Sequence, residues 1–194
     1  NLALSCCRLG RYDEQLKWLE QIPKRTGAEF VGFIEMQVAY MTALGYVHTG
    51  RSESAEAAMR NLEQRLGSAV PASMLQVWSF YKADILWLSG KRAEALRVAG
   101  TELKRRSHIL LANSFAGPYA RWLALTHQGR EDLNRARALL ENLVSQLDNY
   151  DALDQAEILL ALRIVSSREG VVDSVVESQL TDRLLTLPNA VRAQ

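Results

Sequence analysis

Apolar residues recur with a helical period along the chain, and short polar stretches divide them into pairs of segments. Ala55, Ala58, Met59, Leu62 and Leu66 stand at positions i, i+3, i+4, i+7 and i+11, which places them on one face of a helix. The sequence contains no Asn-Gly turn and no alternating run of β-branched or aromatic residues, the usual signs of strands. The pattern therefore predicts an all-α protein.

A glycine that is usually followed by a basic residue returns about every 40 residues. The pairs are Gly10-Arg11, Gly50-Arg51, Gly90-Lys91, Gly129-Arg130 and the degenerate Gly170-Val171. Self-similarity with a period of about 20–50 residues is typical of repeat proteins built from stacked hairpins. We therefore expect a single α-solenoid domain of about five antiparallel helix hairpins, with approximate units 1–24, 28–67, 71–107, 115–147 and 151–187.

Each of these glycines lies where one apolar helical segment ends and before the next begins. A glycine there can adopt positive φ and close the last helical turn without steric cost. The adjacent basic side chain is expected to face the exposed carbonyl groups of that helix end. Small residues at fixed offsets from the glycines should let the paired helices approach closely: Ala3, Ala43, Ala83, Ala55 and Ala95.

The segment Ala3 to Glu14, which has the pattern Ala-x6-Gly-Arg-Tyr-Asp-Glu, resembles the middle of a tetratricopeptide repeat, as do residues 43–55 and 83–95. The resemblance implies a right-handed α–α superhelix. Two features depart from that family: the period is 40 rather than about 34 residues, and Gly27 and Gly67 replace the proline expected after the second helix.

Hairpins of this length resemble the superhelical sensor region of MalT-like and large LuxR-type ATP-dependent transcription regulators. That resemblance implies a signal-receiving arm, with nucleotide-binding and DNA-binding domains elsewhere in the same chain. We accordingly expect this chain, which begins at Asn1 within a predicted helix, to be a piece of a longer protein.

Composition narrows the class of protein further. Hydrophobic residues make up 48% of the 194 residues and the formal net charge is +1, so neither disorder nor a general attraction to nucleic acid is predicted. No run of 18 apolar residues is present, which argues against a membrane span. The adjacent Cys6 and Cys7 are interpreted as packing residues rather than a redox pair, which favours a cytoplasmic protein.

Motifs for catalysis or cofactor binding are weak. Residues 45–52 approach the phosphate-binding pattern GxxxxGK[ST] with Arg51 in place of lysine, but a helical segment precedes them where that loop requires a strand. The histidines, His48, His108 and His127, are too dispersed for a recognisable metal motif. We therefore expect no enzyme activity, no metal and no cofactor.

Basic residues recur two positions before several of the turn glycines. Arg8, His48, His127 and Arg168 occupy this column, where they would complement helix C-termini or, alternatively, form a ridge facing an anionic ligand. The run Lys104-Arg105-Arg106 is interpreted as solvated surface, because nucleic-acid binding would require a broader basic patch.

First helices of stacked hairpins line the concave face of a solenoid, so their aromatic and polar residues are the candidate binding site. The candidates are Gln37, Tyr40, Met41, Tyr81, Asp84, Trp87, Tyr119 and His127. Asp84 is the charged member of a repeat column that otherwise holds Leu4, Leu44, Leu123 and Ile164. It either pairs with a cation of an adjoining unit or projects into the groove toward a ligand.

The sequence thus predicts a non-catalytic sensor module that binds a protein segment or a small effector in its concave face. The leading context is the regulatory arm of a bacterial transcription regulator, in contact with other domains of the same chain. The alternative is a general scaffold that binds a peptide in an assembly or secretion complex. Direct contact with nucleic acid or a membrane is not expected.

Overall fold

The computed structural model describes residues 2–22, 32–65, 72–105, 116–127 and 129–187. These residues form ten α-helices and one 3₁₀ turn, and none of them lies in a strand, which confirms the all-α prediction. The helices are α1 (Leu2–Arg8), α2 (Tyr12–Glu20), α3 (Phe33–His48), α4 (Ser52–Arg65), α5 (Ala72–Leu88), α6 (Arg92–Arg105), α7 (Ala116–Thr126), α8 (Arg130–Val144), α9 (Ala152–Arg168) and α10 (Ser174–Thr186).

The chain divides into two compact units, and the boundary lies within α6, between Val98 and Ala99. In unit 1, which contains α1 to α5, helix α3 packs against α2, α4 and α5. In unit 2, which ends at Leu187, helix α9 packs against α7, α8 and α10. Within each unit, therefore, the first helix of one hairpin packs on the first helix of the next hairpin. The second helix of a hairpin also packs on the hairpin that follows. The single-domain interpretation stays a prediction.

Four of the repeated glycines close their turns as expected. Gly10, Gly50, Gly90 and Gly170 have φ of 70°, 75°, 82° and 75°. At the second turn, Arg51 N–H donates to Tyr46 O and Gly50 N–H donates to Val47 O, at 2.7 and 3.0 Å, which is the Schellman pattern. No heavy atom lies within 4 Å of a Cβ placed on Gly50 or Gly90, so conformation rather than crowding requires glycine there.

Gly129 departs from this pattern, and its predicted positive φ is wrong. Its φ and ψ are −81° and 154°, and it is the N-cap of α8 rather than the C-terminal residue of the helix before it. The preceding repeat interval is 39 instead of 40 residues, so the glycine lies one position closer to the second helix. Leu147, the last residue of the predicted unit 115–147, lies after α8 in the 3₁₀ turn Leu147–Asn149.

Two of the basic residues that follow the glycines form ion pairs instead of facing the carbonyl groups of the helix end, which was the expected contact. The Arg51 guanidinium lies 3.2 Å from a carboxylate oxygen of Asp13, and the Lys91 ammonium lies 2.5 Å from one of Glu56. In each case the acidic partner is on the second helix of the preceding hairpin. These ion pairs therefore connect successive hairpins.

The basic column two residues before the glycines does show the helix-end contact at Arg168. Its guanidinium donates to the backbone oxygens of Ala124 and His127, at the C-terminal end of α7 in the preceding hairpin. Carbonyl groups of a last helical turn lack partners within their own helix and favour a cation. The contact with helix C-termini is thus the interpretation that the described geometry supports for Arg168.

Four of the five alanines at fixed offsets from the glycines lie in the core. Ala43, Ala55, Ala83 and Ala95 are fully buried, while Ala3 is half-buried. Gly27 and Gly67, which supported the repeat in the sequence, lie outside the described residues. Among the helices that the structure describes, none combines the length and apolar character needed to cross a membrane.

Candidate functional site

The eight candidate residues fall into two groups, one in each unit. Gln37, Tyr40 and Met41 lie on α3, and Tyr81, Asp84 and Trp87 lie on α5, all within unit 1. Tyr119 lies on α7 in unit 2, and His127 directly follows that helix.

In unit 1, Tyr40, Tyr81, Asp84 and Gln37 form a cluster between α3 and α5, here called the tyrosine–aspartate cluster. The rings of Tyr40 and Tyr81 stack with centroids 4.0 Å apart and planes inclined by 6°. The Tyr40 hydroxyl donates to Asp84 Oδ2 at 3.1 Å. Burial raises the pKa of Tyr81 to about 12; a hydrogen bond with the Gln37 side chain opposes this shift and the nearby charge of Asp84 adds to it.

The position of Asp84 bears on the two explanations offered for it. The residue is only 4% exposed, and its carboxylate accepts a hydrogen bond from a phenol of the same unit. Tyr81 is similarly buried, at 7% exposure. This carboxylate thus belongs to the packing of α3 against α5, where a satisfied hydrogen bond offsets the cost of burial.

The other two candidates of unit 1 also make contacts within that unit. The backbone oxygen of Met41 accepts a hydrogen bond from Gln15 Nε2 at 2.8 Å, and this buried glutamine links α2 to α3. The guanidinium of Arg92 lies over the Trp87 ring, 5.3 Å from its centroid. Both contacts stabilise the packing of neighbouring helices.

Unit 2 contains a pocket of about 100 Å³ between the C-terminal part of α6, helix α7 and helix α8. We call it the unit-2 pocket. Its lining residues are Gly100, Leu103, Lys104, Tyr119, Leu123, Thr126, His127, Asp132, Arg135 and Leu139. Two of the eight candidates, Tyr119 and His127, are among them.

The histidine of the pocket has a defined orientation. His127 Nδ1 lies 3.0 Å from the backbone oxygen of Leu123 and 3.1 Å from the Thr126 hydroxyl. Thr126 donates its own proton to Trp122 O at 2.6 Å. Because a carbonyl only accepts, the Nδ1 nitrogen carries the proton, and Nε2 is the acceptor of the neutral ring.

Tyr119 provides an aromatic wall with a polar end. The side chain is buried, and burial raises the pKa of its hydroxyl, while the positive charge of Arg135 opposes that shift. Leu103 and Leu123 are also buried and complete an apolar surface. The pocket is thus lined by apolar walls and a few polar groups.

Sequence reasoning named two of the ten lining residues as candidates, and the eight that it missed include Gly100, Lys104, Asp132 and Arg135. Lys104 was interpreted as solvated surface, and it is indeed exposed, but it lies at the pocket. Gly100 offered a usable signal, because it lies inside a predicted helix, beside the stripe formed by Ala95, Ala99 and Leu103, where no turn requires a glycine.

The weaker motifs of the sequence have structural explanations. Gly45, the first glycine of the phosphate-loop-like stretch, lies inside α3, where a Cβ would stand 3.0 Å from Leu16 Cγ. Cys6 is buried, and burial raises the pKa of Cys7 to about 11, so its thiol stays protonated at neutral pH. In the described part of the chain, no three His, Cys, Asp or Glu side chains converge to hold a metal ion.

The chain matches no protein-family model, no curated protein and no solved structure. Of the eight candidates, Tyr119 and His127 line an open volume with polar groups, the unit-2 pocket.

Proposed function

We propose that the chain is a non-catalytic interaction module that binds a protein segment or a small effector, and that the unit-2 pocket is its binding site. In this proposal the hairpins form a right-handed, tetratricopeptide-like superhelix in the cytoplasm. The module would serve as the sensor arm of a bacterial transcription regulator, a context suggested by the 40-residue period of its hairpins.

The observation that carries the proposal is Gly100. It lies inside α6 and lines the pocket, although a glycine within a helix costs roughly 1 kcal/mol relative to alanine. No contact demands the glycine, since the nearest atom to a Cβ placed there is Thr126 Cγ2 at 3.9 Å. A bare Cα at this position instead leaves room inside the pocket, which is the advantage expected at a binding site.

The side chains around Gly100 favour the same use. Tyr119, Leu103 and Leu123 present buried apolar surface, and His127 is held in one orientation by the end of α7. Such preorganised walls bind a ligand without the cost of ordering loose side chains. The predicted candidates Tyr119 and His127 are retained as binding residues on this basis.

The test is a mapping of bound compounds by amide chemical shifts. The protein is titrated with two pools: fragment-sized neutral, cationic and anionic aromatic compounds, and random-sequence heptapeptides. We expect shifts to concentrate at pocket positions such as Gly100, Thr126 and Asp132. Gly100→Leu, which fills the pocket, should abolish them.

The matched control is Ala138→Leu, which adds the same side chain on an exposed position of α8. This variant should bind as the unmodified protein does. Shifts scattered over the surface, or shifts that persist unchanged in Gly100→Leu, would contradict the proposal. The regulator context has a separate test: the complete gene should encode an ATPase domain before this region and a helix-turn-helix module after it.

A further inference from the structure

Two basic residues at the unit-2 pocket differ from three arginines of the same unit that form ion pairs. Arg121 pairs with Glu157, Arg137 with Glu169, and Arg163 with Glu177. These pairs lie between packed helices. Lys104 and Arg135 line the pocket and make no ion pair with any residue that the structure describes. Their charges are therefore available to a group that comes from outside.

The balance of charge at the pocket indicates how much negative charge it would accept. Lys104 and Arg135 contribute two positive charges and Asp132 contributes one negative charge, which leaves one net positive charge with His127 neutral. One anionic charge balances this net charge, whereas a dianion would leave the occupied pocket with a net negative charge. A carboxylate fits this balance better than a phosphate.

The apolar lining indicates what should carry that carboxylate. Tyr119, Leu103 and Leu123 form buried walls beside the two cations. An aromatic or branched aliphatic body of few atoms would fit a volume of about 100 Å³ and gain from contact with them. A purely polar anion would leave these walls in contact with water.

We propose that the unit-2 pocket selects a small monocarboxylate on an apolar body, held by Lys104 and Arg135 at the carboxylate and by Tyr119 at the apolar part. This inference rests on the proposed function and names the class of ligand. In the Nδ1-protonated form, the Nε2 atom of His127 can in addition accept a hydrogen bond from a ligand hydroxyl or amide.

The experiment compares benzoate with benzamide, its neutral analogue of nearly the same shape, and with inorganic phosphate. The whole chain is titrated with each compound at low ionic strength, and dissociation constants are obtained from the changes in amide chemical shift. We expect benzoate to bind at the pocket more tightly than benzamide and phosphate. Because both cations are solvent-accessible, Lys104→Gln and Arg135→Gln should each weaken benzoate by roughly two- to fivefold, and salt should reduce the difference.

Arg130→Gln is the matched control, since Arg130 is an exposed arginine on the same helix and does not line the pocket. It should leave benzoate binding unchanged. Equal binding of benzamide, phosphate binding as tight as that of benzoate, or an equal effect of Arg130→Gln would each overturn the ligand class.

Failure of this inference can be distinguished from failure of the proposed function. If benzamide binds in the pocket as well as benzoate, the ligand class is wrong and the binding module stands. If no benzoate, fragment or peptide shifts the pocket amides, the proposed function itself is contradicted.

Discussion

The tyrosine–aspartate cluster of unit 1 and the unit-2 pocket contain similar side chains in opposite situations. In the cluster, Tyr40 and Tyr81 stack on each other, and the Asp84 carboxylate accepts the Tyr40 hydroxyl proton. In the pocket, Tyr119 lies beside an open volume, with Lys104 and Arg135 unpaired within the described residues. The comparison shows that an aromatic residue near a charge is not by itself a sign of a binding site.

The difference lies in where the polar groups find their partners. A buried carboxylate that accepts a hydrogen bond within the fold contributes to stability, and losing it leaves other buried groups without compensation. A cation beside a cavity contributes little to stability but can recognise a ligand. Substitutions should therefore affect unfolding in unit 1 and binding in unit 2.

The largest effect is expected for Asp84→Asn. The variant keeps the shape of the side chain and removes a charged hydrogen-bond acceptor at a position that is 4% exposed. The free energy of unfolding should fall by about 2 kcal/mol, since a bond to a charged group contributes more than a neutral one. Urea denaturation followed by circular dichroism measures the loss.

Tyr40→Phe is the control for this prediction, because it removes the donor and leaves the carboxylate in place. It should cost a comparable amount, about 2 kcal/mol, because the buried carboxylate then loses a hydrogen-bond donor. If Asp84→Asn unfolds at the same urea concentration as the unmodified protein, the cluster is not structural, and the groove interpretation of Asp84 regains support.

The second prediction is a gain in stability at the pocket. Gly100→Ala should stabilise the protein by roughly 1 kcal/mol, because α6 gains helix propensity and the new Cβ meets nothing nearer than 3.9 Å. In unit 1, Gly45→Ala is the matched variant in a helix interior. Its Cβ would lie 3.0 Å from Leu16 Cγ, so the same propensity gain is opposed by crowding. The measurement compares the free energies of unfolding of the two variants. A larger gain for Gly45→Ala than for Gly100→Ala would contradict the prediction.

Much of the fold could be predicted from the sequence because its signals are local. Glycine at Gly50 and Gly90 is required by a backbone conformation that other residues rarely adopt, so it recurs with the hairpin turn. The interval of 39 residues before Gly129 was the available warning that this glycine occupies a different position in its turn. A period identifies hairpins, but it does not resolve a shift of one residue between C-terminal and N-terminal caps.

The site was less predictable because it depends on contacts between helices. Aligning the repeats placed Asp84 and Tyr119 on first helices, but it could not indicate which polar groups would find partners inside the fold. Lys104 and Arg135 belong to second helices, α6 and α8, which the concave-face argument did not consider. Only their spatial convergence with Tyr119 makes them candidates.

A third prediction concerns a second pair of stacked rings in unit 1. The His48 and Tyr12 rings stack at 4.2 Å between centroids, and burial lowers the pKa of His48 below 6.5. As pH falls through about 6.5, the unfolded chain takes up this proton more readily than the folded chain, so folding stability decreases. The neutral His48 ring therefore contributes to the free energy of unfolding above pH 6.5. This contribution is lost as the pH falls toward the lower pKa of His48 in the folded state.

His48→Gln should remove this part of the pH dependence. Unfolding free energies at pH 7.5 and 5.5 for both proteins provide the measurement, and subtracting the two profiles cancels the other histidines. Parallel profiles would mean that His48 titrates alike in the folded and unfolded chain, and that its stacking on Tyr12 leaves the ring free to take up a proton.

The smallest change in stability is expected from the double variant Lys104→Gln, Arg135→Gln, and this small change completes the contrast with Asp84. Both side chains are exposed and neither has an ion-pair partner among the described residues, so their removal should alter the free energy of unfolding by no more than about 0.5 kcal/mol. A mild stabilisation is also consistent, because two neighbouring positive charges are removed. Urea denaturation in parallel with Asp84→Asn makes the comparison direct. If the double variant instead loses stability as Asp84→Asn does, the two cations already serve the fold, and the pocket resembles the cluster of unit 1 rather than a site prepared for a ligand.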